Sequence, residues 1–276
     1  MKQKKTVSNK SNFEKWVDIF NIQPAGIIHV GAHLVPERSI YKNKKFEPVL
    51  WIESQEEMVR KAEILLRDCP NQKIVNSTLW STVGETKTFF NASNNGGSSS
   101  LLDLNLHKAS YPEIVITDTV KVITNTLEEL ARTQINQMQE YKILILDTQG
   151  SELEILKGGK SILSNFDVII CEVSIRKLYK NGPLIKDIEN FLNDSNYIMT
   201  AFEINRTVGW GDALFLKQKG NEYDLQIVKE KENFIYSGPM FTLGTFLRTM
   251  VSKMGMSSTW ITRNSILSSI KELTKR

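Results

Sequence analysis

The sequence predicts an α/β protein: a Rossmann-like, seven-stranded, mostly parallel sheet with an antiparallel last strand. Three observations carry this expectation. Short aliphatic or β-branched runs alternate with segments of helical periodicity, the order that parallel pairing with right-handed crossovers requires. Four successive runs end on Gly31, Glu53, Asp147 and Glu172, where ligands bind in such sheets, beyond the carboxyl ends of the strands. The run Ile143-Leu144-Ile145-Leu146 is apolar without interruption, as a strand covered on both faces should be.

In chain order, a basic tail with Lys2, Lys4, Lys5 and Lys10 and a leading helix occupy residues 1–24; no apolar stretch follows the tail, so it does not read as a secretory signal. The first strand is Ile27-Ile28-His29-Val30, ending at Gly31. A helix over 36–45, the strand Pro48 to Ile52 and a helix over 55–67 follow, the last with Met58, Ala62, Leu65 and Leu66 on one face. The strand Lys73-Ile74-Val75 closes this half.

Alternation pauses over about 80–125, where the Gly/Ser/Asn-rich stretch Asn91 to Ser100 separates strand-like segments near 86–90 and 114–123. An insertion of this length in a compact domain is expected to cover a site. The pattern resumes with 143–146, a helix from Ser151, the strand Asp167 to Cys171 ending at Glu172, a helix over 184–193, and strands over 197–204 and 211–217. One sheet domain therefore spans 25–217.

Beyond it, 218–276 form a linker and a helical appendage. Leu243, Leu247, Met250 and Met254, then Ile266, Ile270 and Leu273, recur at the spacing of two short amphipathic helices. They are expected to pack on the sheet domain or on a second subunit, as in a homodimer. The accompanying Arg248, Lys253, Arg263, Lys271, Lys275 and Arg276 make an anionic membrane surface, or a glycan-assembly partner there, the alternative.

Composition removes other classes. A hydrophobic fraction of 41% with a net charge of only +4 excludes disorder as the main state. Thirty-five Lys+Arg against 31 Asp+Glu speak against a phosphate-neutralising nucleic-acid binder. Cys69 and Cys171 lie far apart without a CxxC pair, so they read as small hydrophobes in a reducing compartment. No window reaches the roughly 18 uninterrupted apolar residues of a membrane span. A soluble, cytoplasmic protein is expected, at the inner membrane surface if the C-terminal helices attach there.

Gly31 allows a tight turn and close approach of a ligand, but the later glycines of G-x-G-x-x-G are missing from Val30-Gly31-Ala32-His33-Leu34-Val35-Pro36-Glu37. Pro36 and Glu37 stand where a pyrophosphate would sit, and a carboxylate there repels one. Glu53, 22 residues after Gly31, has the spacing of an acid that accepts hydrogen bonds from a ribose diol. A nucleoside without phosphate points to S-adenosylmethionine. In the cluster from Asp147 to Gly158, Gly150 supplies the turn that sets Asp147 over the site. Glu152 serves either the site or the dipole of the helix it opens.

Gly31-Ala32-His33, Trp51-Ile52-Glu53, Gly97-Ser98-Ser99-Ser100-Leu101-Leu102 and Asp147-x-x-Gly150-x-Glu152-x-x-x-Leu156-x-Gly158 together resemble the FkbM-type S-adenosylmethionine-dependent methyltransferases over roughly 25–217. Where that family usually has Asp, a second Gly and an acid in the first loop, this chain has His29, Val35 and Pro36, with Glu37 as the substitute acid. The resemblance implies a class I methyltransferase fold and O-methylation of a sugar or secondary-metabolite hydroxyl. It implies cofactor contacts from Gly31, Ala32, His33, Glu37, Glu53, Ser54, Ser99, Ser100 and Asp147.

Asp147, Glu172 and His33 are the candidate bases. Imidazole as a side chain ordinarily titrates near 6.5, which suits proton acceptance, and His33 serves equally as a cofactor contact. No metal site is expected; a divalent cation shared by Asp147 and Glu172 is the alternative. His29 reads as a hydrogen-bonded core residue and His107 as a surface one. The competing functions are a non-catalytic scaffold that keeps the sheet, and a methyltransferase acting on nucleic acid or protein.

Overall fold

The computed structural model describes residues 10–218. The chain runs α1 (Asn12–Ile19), β1 (Gly26–Val30), α2 (Arg38–Asn43), β2 (Val49–Glu53), α3 (Glu56–Leu65), β3 (Gln72–Asn76), β4 (Thr78–Leu79), β5 (Thr86–Ala92), α4 (His107–Ser110) and β6 (Ile116–Asn125). It continues through α5 (Leu127–Gln134), β7 (Tyr141–Leu146), α6 (Glu152–Gly158), β8 (Val168–Ser174), α7 (Ile185–Asp194), β9 (Tyr197–Asn205) and β10 (Trp210–Lys217). Lys2, Lys4 and Lys5 of the basic tail and both expected C-terminal amphipathic helices lie outside the described residues. Among the described residues no helix is long and apolar enough to cross a membrane.

The main sheet has seven strands in the order β3-β2-β1-β7-β8-β10-β9. All neighbours pair in parallel except β10, which is antiparallel to both β8 and β9. The last hairpin turns inward: β9 forms the edge and β10 fills the place beside β8, so that Asp212 pairs with both Glu172 and Glu203. Between β1 and β7 the order reverses, because the chain leaves β1 toward β2 and returns on its other side. Such a switch point opens a crevice beyond the strand ends.

β1 and β2 are buried at every position, so they carry continuous apolar runs. One face of the sheet packs Ile28, Leu144 and Leu146 against Ile155 and Leu156 of α6 and Ile188 and Leu192 of α7. The other packs Ile143 and Ile145 against Trp16 of α1, Tyr41 of α2 and Ala62 of α3. The leading helix starts at a capping box: Ser11 accepts from the Glu14 amide, and the Glu14 carboxylate accepts from the Ser11 amide.

A second, three-stranded sheet has the order β4-β6-β5, with β5 and β6 antiparallel and β4 parallel to β6, and takes up the segment between β3 and α5. It rests directly on α6: a Cβ at Gly158 would stand 2.2 Å from the Trp80 carbonyl oxygen, so only glycine lets the two backbones meet. Gly158→Ala should therefore lower stability by about 1–3 kcal/mol through overpacking, even though alanine gains roughly 1 kcal/mol over glycine inside a helix. Urea denaturation measures this; an unchanged or raised midpoint would show that the contact yields freely.

Candidate active site

At the end of β1 the backbone turns through Gly31, at φ +87, and its amide donates to the Ile52 carbonyl at 2.9 Å. A Cβ on Gly31 would stand 1.7 Å from the Asp147 carbonyl oxygen, so no side chain fits. His33 and Val35 in the same loop also have positive φ, +44 and +46, a costly conformation and most of all for a β-branched residue. Val35 is fully buried, and its amide donates to the Ala32 carbonyl at 2.8 Å, which holds the turn closed.

This bent loop aims its amides at β2. The His33 amide donates to Glu53 Oε2 at 2.8 Å and the Gln55 amide to Glu53 Oε1 at 2.9 Å. Glu53 is only 6% exposed, so two charge-assisted hydrogen bonds replace much of its lost hydration. Each oxygen keeps a second lone pair for a ligand.

One cleft brings together Gly31, Ala32, His33, Glu37, Glu53, Ser54, Ser99 and Asp147. Gln55, Ser77, Thr148, Gln149 and Ser151 also line it, residues for which the sequence suggested no role. Ser100 and Glu172 do not line it. The Ser100 hydroxyl donates to the Gln149 carbonyl at 2.8 Å, and Glu172 stands behind Gln149, accepting from its Nε2 at 2.7 Å.

The insertion supplies the cover. The turn after β5 places Gly96, Gly97 and Ser99 on the cleft, and His33 Nε2 lies 2.9 Å from the Asn95 carbonyl. A carbonyl only accepts, so Nε2 carries a hydrogen, and in a neutral ring Nδ1 is the accepting atom. The Ser99 hydroxyl accepts from the Ala92 amide at 3.0 Å and so shapes the turn from within.

His107 is not a surface residue. It is 4% exposed, with Nε2 at 3.2 Å from the Ser98 hydroxyl and its ring against Tyr111 and Tyr179. The short helix α4 folds beneath the covering turn and buries it, a contact between distant segments that local polarity does not reveal. His29 is a core residue: Nδ1 meets the Tyr41 hydroxyl at 3.0 Å, and the ring stacks on Trp51 at 4.6 Å between centroids. Burial pushes its imidazole down to about 3, which keeps it neutral.

Behind Asp147 the chain turns on Glu152. Its Oε1 accepts from the Thr148 amide at 2.9 Å, the Thr148 hydroxyl at 3.0 Å and the Gly150 amide at 3.1 Å. It therefore braces the turn, rather than lying free on the first turn of α6. Burial pushes its carboxyl up to about 7 against the pull of these donors.

Three further acids face Asp147. Burial, aided by the charges of Asp147 and Asp212, pushes Glu37 up to about 7. Asp212, which accepts from the Asn12 amide at 2.7 Å, is pushed up to about 6, first by burial. Glu172 lies well above the usual carboxylate range, through burial and then the charges of Asp147 and Glu152. Among the described residues no group of three metal-ligating side chains comes together. The Gln149 amide donates to both Asp147 and Glu172, which also meet each other directly.

A family model described as the methyltransferase FkbM domain matches residues 29–199. No curated protein matches the chain. Among solved structures, magnesium protoporphyrin IX methyltransferase from Synechocystis, with bound SAM, is similar at 11% identity over 74% of this chain and 76% of that one, with a TM-score of 0.43. A TehB-like SAM-dependent methyltransferase from Corynebacterium glutamicum matches at 10% identity over 74% of this chain and 86% of that one, TM-score 0.37. An uncharacterized protein from Listeria monocytogenes is similar at 9% identity over 95% of this chain and 94% of that one, with a TM-score of 0.44.

The raised acids make stability depend on pH in a stated direction. Glu37 binds its proton more tightly folded, about 7, than at its ordinary 4.5, so its contribution is complete below about 4.5 and is lost as pH rises through about 7. The loss is at most about 3 kcal/mol before solvent screening. Glu37→Gln, which carries no titrating proton, should flatten the decline in unfolding free energy between pH 5 and pH 8. Urea denaturation across that range tests this, and an unchanged slope would refute it.

Proposed function

Because the chain belongs to the FkbM methyltransferase family, we propose that it is an S-adenosylmethionine-dependent O-methyltransferase acting on a hydroxyl of a carbohydrate or secondary-metabolite acceptor. The single observation that carries the cofactor is the charge of the cleft. Glu37, Glu53 and Asp147 line it, and among the described residues no lysine or arginine does. A pyrophosphate would be repelled there, whereas a phosphate-free nucleoside bearing a sulfonium and an ammonium group is attracted.

The donor set fits that group. Glu53, already oriented by the His33 and Gln55 amides, has lone pairs left to accept from a ribose diol. Gly31 and Ala32 keep the first loop close, and Ser99 and Gly97 cover the opposite side. The excess of carboxylates at the strand ends also disfavours a polyanionic acceptor and supports a neutral one.

When bound, S-adenosylmethionine supplies an activated methyl group. The chain must then orient the acceptor oxygen, take its proton and exclude water. Alignment can supply roughly 7–11 kcal/mol of the barrier, and a general base typically about 10²- to 10⁴-fold in rate. Asp147 faces the cleft and accepts the hydroxyl proton at its carboxylate. Nδ1 of His33 is the second acceptor on the cleft, its orientation held by the bond to Asn95. Glu172 acts from behind the Gln149 amide.

Calorimetry with S-adenosylmethionine should show binding that Glu53→Ala weakens at least about tenfold, the loss of two charge-assisted hydrogen bonds. No binding at millimolar concentration would remove the enzyme reading in favour of a scaffold. With methyl-labelled cofactor and fractionated cell extract, label should enter a neutral hydroxyl compound as an alkali-stable ether. Asp147→Asn should slow that transfer by about 10²- to 10⁴-fold with binding retained. Label in nucleic acid or protein would refute the acceptor.

A further inference from the structure

Gln149 lies in the turn between β7 and α6 at φ +58, a backbone conformation that residues with side chains rarely adopt. Its side chain is fully engaged. One Nε2 hydrogen goes to Asp147 Oδ1 at 2.9 Å and the other to Glu172 Oε2 at 2.7 Å. Oε1 accepts from the Tyr179 hydroxyl at 2.6 Å, and the main-chain carbonyl accepts from the Ser100 hydroxyl at 2.8 Å. Nε2 faces the two carboxyl groups and Oε1 faces the Tyr179 hydroxyl, so the amide spans all three side chains. Tyr179 is itself 5% exposed, packed on His107, and so gives the amide a rigid anchor.

We propose that Gln149, anchored by Tyr179, is a positioning residue that holds the Asp147 carboxylate at the reacting centre by tying it to Glu172. The proposal rests on the methyltransferase reading above. Glu172 does not line the cleft; it meets Asp147 directly, carboxyl to carboxyl, and a second time through this amide. The same residue receives the Ser100 hydroxyl from the covering turn, so closure over the cleft and registration of the base are one arrangement. Glu37 from the first loop, Tyr41 from α2, Glu152 from α6, Asp212 from β10 and the Tyr179 hydroxyl complete the titratable groups around the pair.

Two measurements on the full chain test this. With ¹⁵N-glutamine labelling, the side-chain NH₂ signals that vanish in Gln149→Ala should lie downfield of the other glutamines and move with pH as the carboxylates titrate. Tyr179→Phe should abolish that displacement. Gln149 signals within the envelope of exposed glutamines and insensitive to pH would overturn the proposal.

With the acceptor fraction found by label transfer, Gln149→Ala should lower kcat on the order of 10²-fold, the cost of a misplaced reacting group. KM for S-adenosylmethionine should stay within about threefold, as for an interaction made in the transition state. The acid limb of kcat/KM should move to higher pH, because the ionised pair loses two donors. A fall in melting temperature with an unmoved acid limb would mean a purely structural role and would overturn the proposal. A chain that binds no S-adenosylmethionine would fail the methyltransferase reading, while the NMR experiment would still decide whether Gln149 ties the two carboxylates.

Discussion

The site depends on how closely β1 and β7 run past each other at their ends. The Asp147 amide donates to the Val30 carbonyl at 2.9 Å, and the Gly31 α-carbon passes so near the Asp147 carbonyl that any Cβ would collide with it. This contact sits at the switch point of the sheet, where the connections from the two strands leave in opposite directions. A residue larger than glycine would part the strand ends and with them the two loops that carry Glu53's donors and Asp147. The fold therefore sets the distance between the candidate cofactor acid and the candidate base through a main-chain contact rather than through side-chain reach.

Charge is the second constraint, and it follows from the first. Bringing strand ends together gathers Glu37, Glu172 and Asp212 around the exposed Asp147, and burial first, then like charge, opposes the ionisation of those three. The structure answers differently at each position. Glu53 receives two main-chain amides, Asp212 the Asn12 amide, Glu152 three donors from its own turn, and Asp147 with Glu172 share one glutamine. The donors that hold these acids are neutral amides and a hydroxyl rather than lysine or arginine side chains.

How much of this was legible in the sequence depended on the range of the interactions involved. Gly31, Glu53 and Asp147 could be placed because each ends an apolar run, and run order maps directly onto position along a sheet edge. The insertion could be located by its break in periodicity. The inward return of β10 could not, because a hairpin signal is the same whichever of its strands reaches the sheet. Nor could the burial of His107, which depends on α4 meeting Ser98 and Tyr179. Gln149 stood inside a recognisable cluster, yet its role emerges only when Tyr179, 30 residues later, meets it in space.

The insertion then has a structural reason to exist. It is tied to both halves of the cleft: Asn95 accepts from His33 in the loop that feeds Glu53, and Ser100 donates to Gln149 in the turn that carries Asp147. These two ties come from a single stretch of small residues, so the cover cannot shift on one side without disturbing the other. The strained residues lie at the receiving ends, His33 at φ +44 and Gln149 at φ +58. Each is held in its costly conformation by hydrogen bonds that include one to the cover, so opening the cover would weaken the restraint on both loops together.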